Sequence, residues 1–353
     1  ITGFTTTYAN VGQTSNKGIE IALQGVLVKT RDWNVTAGFN INFNRGKVDK
    51  LADNVTGLYG TEWATSSTFP KSDYVLKEGR PVGLVRGLTA DGFYTTDDFT
   101  YENGVYTLKE GVADVSSAVF PNYHLHNGIN ERPAGQLAYP GMAKFKDLND
   151  DGIINDDDVD VIGDMTPVHT GGFNINATYK NFDLGLYFNW SYGNEIYNVN
   201  KLAALYGYKE GAVYENKLSI VKDCYKIYDV VNGELVALTT PEQLNAANAN
   251  AKLPLAYSEN GYVSTLGIED GSYLRLNTLT LGYTLPKSIL QKAGISNLRV
   301  YGSIYNVFTI TGYSGIDAEV STSTSTKTYP QLGMDWGTYP RARSFVLGVN
   351  LSF

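Results

Sequence analysis

The sequence predicts an all-β chain, and more narrowly a stretch of transmembrane antiparallel β-barrel with long loops at one end. Three observations carry this expectation. Apolar and polar residues alternate with period two in about seven segments, which gives each strand one greasy and one polar face. The connections between segments are unequal: turns of a few residues on one side and long excursions on the other, the layout of an outer-membrane barrel. No run of apolar residues approaches the roughly 18 that a spanning helix requires, so any membrane crossing must be made by strands.

Taken in order, Ile19, Ile21 and Leu23 alternate with Glu20, Ala22 and Gln24. After a short turn near Arg31, Trp33, Val35, Ala37, Phe39, Ile41 and Phe43 oppose Asn34, Thr36, Gly38, Asn40, Asn42 and Asn44. That length matches the roughly 9 to 11 residues of a tilted membrane strand. A hairpin follows around Lys180 and Asn181: Phe173, Ile175, Ala177 and Tyr179 lead into it, and Leu184, Leu186, Phe188, Trp190 and Tyr192 lead out. A fifth strand is best defined at Leu279, Leu281, Tyr283 and Leu285. The sixth runs from about Leu298 to Phe308 with ambiguous faces, because Tyr301 and Tyr305 oppose Leu298, Val300 and Ile304. The seventh carries Phe345, Leu347, Val349, Leu351 and Phe353 against Ser344, Gly348, Asn350 and Ser352. Between these strands lie long loops of about 45–169, 194–271 and 309–339, expected to be extracellular. Trp33, Tyr179, Phe182, Tyr283 and Phe353 would then form an aromatic girdle at the periplasmic side.

Composition fits. Charged residues are 18% of the chain, below the usual quarter, without a compensating rise in apolar content, which is 42%. A soluble β-sandwich also alternates, but its outward face carries many Lys and Glu, whereas here the polar face is Asn, Thr, Gly and Ser, suited to a hydrated lumen. The net charge of −8 and the lack of basic clusters argue against nucleic acid. Cys224 stands alone, so no internal disulfide is possible. The chain begins Ile-Thr-Gly, and about seven strands cannot close a bacterial barrel, so residues 1–353 read as the C-terminal portion of something longer.

A series of short runs follows in a set order along the chain. The runs are Asn10-Val11-Gly12 with Asn16-Lys17-Gly18-Ile19-Glu20, then Glu78-Gly79-Arg80-Pro81-Val82-Gly83 leading to Asp91-Gly92-Phe93-Tyr94. Pro140-Gly141, the acidic segment from Lys146 to Asp158 and Val161-Ile162-Gly163 follow. Next come Tyr179-Lys180-Asn181-Phe182-Asp183-Leu184 and Ser191-Tyr192-Gly193-Asn194. Tyr273-Leu274-Arg275-Leu276, Thr280-Leu281-Gly282-Tyr283 and Tyr313-Ser314-Gly315-Ile316-Asp317 complete the set with the terminal strand. No single run is specific, but in this order they resemble one family, the SusC/RagA-like TonB-dependent outer-membrane transporters. The resemblance implies a barrel of about 22 strands whose last seven or so are these, with an N-terminal plug supplied elsewhere. It further implies energy from the TonB complex through that N-terminal region, a SusD-like surface lipoprotein as lid, and outer-membrane lipid around a multi-pass barrel of a Gram-negative cell. Gly348, Leu351 and Phe353 fit the family's C-terminal assembly signal, whereas Val346 departs from it. Ala318 and Leu84 to Arg86 also depart from the family pattern, which bears on ligand contacts.

The segment from Asp147 to Asp158 has the spacing of a 12-residue calcium loop. Asp147, Asn149 and Asp151 take alternate positions, Gly152 the sharp turn, Ile153 a backbone carbonyl, Asn155 the ninth position and Asp158 the twelfth. Structural Ca2+ bracing a long loop is therefore expected, with the closing Asp giving a weaker site than Glu.

Nothing indicates an enzyme. His124 and His126 lack further ligands for zinc, and no separation is fixed for a Glu62 and Glu78 carboxylate pair. The long loops are rich in aromatics, and Trp63, Tyr94, Tyr101, Tyr123, Tyr206 and Trp336 are candidates for touching cargo or lid, against the blander role of packing loop on loop. The expected function is TonB-dependent import of glycan or peptide fragments across the outer membrane. The alternative is a soluble, calcium-braced β-protein of the cell surface that binds carbohydrate.

Overall fold

The computed structural model describes residues 12–53, 55–65, 68–120, 131–206, 217–256, 261–291, 294–319 and 332–353. Seven strands form one antiparallel sheet in chain order: β1 (Gly12–Lys29), β2 (Trp33–Leu51), β3 (His169–Tyr179), β4 (Phe182–Tyr192), β5 (Tyr273–Thr284), β6 (Asn297–Thr311) and β7 (Ser344–Ser352). Each strand pairs only with its sequence neighbours in this sheet, as in an up-and-down barrel wall.

The registers show what the alternation is for. One row crosses all seven strands as Val28, Val35, Ala177, Leu184, Leu281, Gly302 and Leu347. A second runs Leu23, Phe39, Phe173, Phe188, Leu276 and Phe308, with the Phe173 and Phe188 rings stacked at 4.3 Å. Most of these side chains stand in the open, Leu347 88% exposed and Leu281 52%, while Leu276 is covered by its neighbours. The opposite face carries Asn174, Asn176, Thr280 and Ser303, which bond to each other: Asn176 Nδ2 donates to Asn174 Oδ1 at 3.1 Å, and the Thr280 and Ser303 hydroxyls lie 2.8 Å apart. A face that bonds within itself while its reverse shows only hydrocarbon suits lipid outside and water inside.

Aromatic rows bound the apolar band. At the short-turn end Trp33, Tyr179, Phe182 and Tyr283 are consecutive partners across four strands, with ring separations of 4.4 Å for Trp33–Tyr179 and 4.7 Å for Phe182–Tyr283. At the long-loop end Phe43, His169 and Tyr192 sit side by side at 5.5 and 5.0 Å. Phe182 and Tyr192 are ten residues apart in β4; at about 3.3 Å per residue and a tilt of about 40° this projects to about 25 Å, the height of a lipid-facing band. Phe353 lies beyond β7, 87% exposed, past the end of the girdle row.

Two strands differ from the expected period for a definite reason. In β5 the register slips where Tyr187 and Phe188 face Thr278 and Leu276, so the outward set changes from Leu274 and Leu276 to Leu279, Leu281 and Tyr283. In β6 a matching slip falls at Asn306, held at φ 54°, and keeps Phe308 and Ile310 on the outward face. The inward tyrosines of β6 also have a use. Tyr301 lies flat over Gly348, where an added Cβ would meet its ring at 2.3 Å, so the glycine of the terminal strand is a seat for that ring. Similarly Gly282 leaves room for Arg299 of β6 to reach across β5, where its Nε and Nη2 donate to the two carboxylate oxygens of Asp183 of β4.

The short connections are a turn at Thr30–Asp32, the Lys180–Asn181 turn with Lys180 at φ 53°, and residues 285–296, which include a short helix at Lys287–Leu290. The long ones are 52–168, 193–272 and 312–343; they fall short of the expected bounds at 52, 168 and 312, where β2, β3 and β6 run further, and extend slightly beyond them at 193, 272 and 343.

Candidate functional site: the folded cap of long loops

The three long loops fold together into one cap. The first contributes a sheet of Val159–Asp164, Leu84–Leu88, Tyr74–Leu76 and Leu58–Gly60. The second and third share a sheet in which Glu195–Asn198 pairs with Ile268–Asp270 on one side and Met334–Asp335 on the other. Parallel bridges Phe69–Tyr262 and Leu88–Ser264 stitch the first loop to the second. Beneath them is a continuous core in which Leu84, Val85, Leu88, Tyr94, Tyr106 and Tyr197 are all 0% exposed. Two of its hairpins turn on Asn103-Gly104 and Asn232-Gly233, each pair in the left-handed region that this turn type demands. A helix at Pro241–Asn248 starts with a capping box: Thr240 Oγ1 accepts from the Gln243 N–H at 3.4 Å and Gln243 Oε1 from the Thr240 N–H at 3.2 Å. It buries Leu244 in the core.

Charged contacts hold this cap to the wall. Arg275, on the inward face of β5 and 2% exposed, donates to Asp317 of the third loop and lies 3.4 Å from Glu319, which Arg341 also meets at 2.9 Å. Two of the runs singled out in the sequence, around Arg275 and around Asp317, are thus the two halves of one buried ion pair. Nearby, Glu269 accepts from the Ser314 N–H and hydroxyl, both at 2.9 Å, and from Lys201 at 3.2 Å, joining second and third loops. Burial raises the Glu269 carboxyl, but the Ser314 and Lys201 bonds outweigh it and hold the group below the usual glutamate range. The Tyr313 hydroxyl donates to Asp335 at 2.6 Å, and burial with that bond pushes the phenol far above its ordinary value. Asp73, buried, takes the N–H groups of Glu62, Trp63 and Ala64 at 2.8 to 3.0 Å; burial raises its carboxyl, and these bonds oppose the rise.

The candidate contact residues fall in different places. Tyr94 is fully buried, its hydroxyl donating to the Ala113 carbonyl at 2.6 Å, so it is part of the cap core and presents no ligand surface. Tyr101 packs on Tyr106 at 4.6 Å, and Trp63 meets Tyr197 edge-on at 6.4 Å. Trp336 is 48% exposed. Tyr206 closes the helix Val199–Tyr206, and its side chain lies outside the described residues, as do Tyr123, His124 and His126 entirely. Of the imagined carboxylate pair, Glu78 accepts the Leu51 N–H at 2.6 Å and so closes the end of β2. Cys224 is buried, which pushes its thiol up to about 11.

The side chains of the acidic loop bond to the loop's own backbone. Asp147 Oδ1 and Asn149 Oδ1 both accept the Asp151 N–H, at 3.3 and 3.1 Å, and Asp151 Oδ2 lies 3.0 Å from Asn149 Nδ2, so the first three donors converge. Asp150 at φ 59° and Gly152 at φ 85° make the sharp bend, and the Asn155 side chain is directed at the Ile153 carbonyl, 3.2 Å away. Asp158, however, is fully buried and its oxygens take the Leu148 and Asn155 N–H groups at 2.7 and 2.8 Å. It thereby closes the loop. Among the described residues no group of three or more His, Cys, Asp or Glu is placed to hold a metal ion. Beside this loop is a cleft of about 670 Å3, lined by Asp91, Lys144, Lys146, Asp147 and Asp150 among others.

An apolar-outside, polar-inside wall bounded by aromatic rows, with its long loops folded into a cap at one end, defines a segment of an outer-membrane-type β-barrel. Comparison with known proteins narrows the class. No family model matches the chain. TonB-dependent receptor P3 of Formosa agariphila is 29% identical over 356 residues, spanning 99% of this chain and 30% of that protein. TonB-dependent receptor SusC of Bacteroides thetaiotaomicron is 26% identical over 98% of the chain and 27% of its own length. The fold matches that of the RagAB peptide importer in its closed-closed state with a TM-score of 0.65, at 22% identity, over 99% of this chain and 31% of that one. The chain is thus similar along its whole length to a segment of TonB-dependent receptors, SusC among them, and it spans about a third of the length of the curated relatives it matches. These relatives are receptors and an importer, not enzymes.

Proposed function

We propose that this chain forms part of the wall and cap of a TonB-dependent importer in the outer membrane of a Gram-negative cell, taking up glycan or peptide fragments. The observation that carries this reading is the wall itself: two aromatic rows set apart by the height of a bilayer's hydrocarbon band, with hydrocarbon side chains between them on one face only. The receptor names of the relatives and the importer title of the structural neighbour support it. In this reading the long loops are extracellular, the cap receives a SusD-like lipoprotein lid, and energy from the TonB complex acts through parts of the receptor beyond this chain. No bond is made or broken in the cargo. Uptake of fluorescent oligosaccharides and peptides by cells with and without the receptor tests the proposal. Uptake of one class that is lost with the receptor and on collapse of the proton gradient is the expected result; uptake indifferent to both would overturn it.

We also infer that the loop from Asp147 to Asp158 takes Ca2+ as a brace, through Asp147, Asn149, Asp151, the Ile153 carbonyl and Asn155, with Asp158 closing the loop. The converging oxygens of its first half and its spacing support this. Saturable terbium luminescence displaced by calcium, and lost in an Asp147→Asn, Asp151→Asn receptor, is expected. Identical signals from both receptors would reject the site.

A further inference from the structure

The outward face of the wall has a notch that import does not use. At the long-loop end the row Phe43, His169, Tyr192 continues along the paired registers to Ser272 and Gly312, and these two small residues leave a cleft of about 410 Å3. Its floor is Trp190, Leu274 and Ile310; its rim is His169, Tyr192 and Asp270. Packing does not require the glycine, since a Cβ at Gly312 would meet nothing within 4 Å. The trough is therefore open space at the level where hydrocarbon gives way to water. Gly171, by contrast, is needed to build it: a Cβ there would strike the Trp190 ring at 2.4 Å.

We propose that this notch holds an outer-leaflet glycolipid, with the upper part of an acyl chain on the floor and a sugar head at the rim. The floor joins the apolar band without a break, so lipid reaches it directly. The rim selects the head by charge. Among the described residues that line the cleft, Asp270 carries the formal charge and none is Lys or Arg, an arrangement that repels a phosphate head and accepts hydroxyl hydrogens. The His169 and Tyr192 rings stack at 5.0 Å and 17°, forming an aromatic wall of the kind on which a sugar ring packs. Trp190 Nε1 donates to His169 Nδ1 at 3.0 Å, which fixes the ring and in the neutral imidazole leaves Nε2–H as the donor. One acceptor, one donor and a flat face, above a greasy floor, fit a hydroxyl-rich head on a lipid tail.

This site rests on the membrane reading of the wall, and the test separates the two. A photoreactive benzophenone amino acid is placed at Ile310 beside the notch, or at Leu279 near the middle of the band, in the whole receptor in its native outer membrane, and adducts are weighed after irradiation. Position 279 should give mixed lipid adducts, and position 310 a several-fold enrichment of sugar-bearing lipid. Adding Gly312→Leu to fill the notch should abolish the enrichment. The same lipid mixture at 310 as at 279, or an enrichment that survives the filled notch, would overturn the glycolipid site alone. A position 279 that captures no lipid would overturn the wall's membrane setting as well.

Discussion

In the wall, Leu347 is 88% exposed, Phe345 72% and Val349 62%; in the cap, Leu84, Val85 and Leu88 are 0% exposed. Both regions are β-structure cut from one chain, but they obey opposite rules of hydrophobic placement. In the cap apolar side chains turn inward, and each fully buried Leu or Val contributes about 1.5 to 3 kcal/mol by leaving water. In the wall the same residue types turn outward and their polar partners turn toward the lumen. The difference is the one the proposed setting requires, with hydrocarbon around the wall and water around the cap. Burial counted against water describes only the cap.

The largest expected effect lies at the joint between the regions. Asp317→Ala strands the buried Arg275 without its main partner and should cost about 3 to 5 kcal/mol, read as early release of the third loop in hydrogen exchange while β3 and β4 stay protected. Equal loss of protection throughout would mean that cap and wall are not separable. Leu88→Ala comes next, removing a fully buried side chain from the cap at about 2 to 5 kcal/mol. Its signature is a lower melting point for the cap's near-ultraviolet signal with strand content unchanged; a transition shared with the wall would break the comparison. Smaller still is the pH effect of Glu269. Its carboxyl is lowered in the folded protein, so its contribution is complete above the ordinary glutamate value and is lost as pH falls through the lowered one. Protease nicking between second and third loops should rise in acid, and Glu269→Gln should flatten that profile. An unchanged profile in the variant would assign the acid sensitivity to other groups.

Much of the wall is legible in the sequence because period two is a local signal. β2, β3, β4 and β7 alternate over the stretches read in the sequence, and the aromatic ends of the first three fall into the girdle rows. The signal fails where the register slips: Leu274 and Leu276 are out of phase with Leu279 and Leu281, so the long-loop half of β5 is hidden, and Asn306 does the same in β6. Tyr301 looks like a misplaced apolar residue until Gly348, three strands' worth of sequence away, is seen beneath it. The cap is nearly illegible, since its strands are two to six residues long and its core gathers from all three loops. The Asn103-Gly104 and Asn232-Gly233 pairs are the signals that could have revealed its hairpins. Aromatic abundance, read as contact surface, instead marks core at Tyr94 and Tyr106. The pairing of Arg275 with Asp317 needs the fold, because nothing local joins residues so far apart in sequence.

The measurement that bears most directly on the account is the stability of a Leu279→Arg receptor reconstituted in bilayers. Leu279 is on the outward face opposite Leu186, which stands four residues along β4 from Phe182 and six from Tyr192, near the middle of the band. Facing lipid, the substitution should cost about 2 to 4 kcal/mol in reversible denaturant unfolding. A change within about 0.5 kcal/mol, the usual cost of altering an exposed residue that faces water, would contradict it.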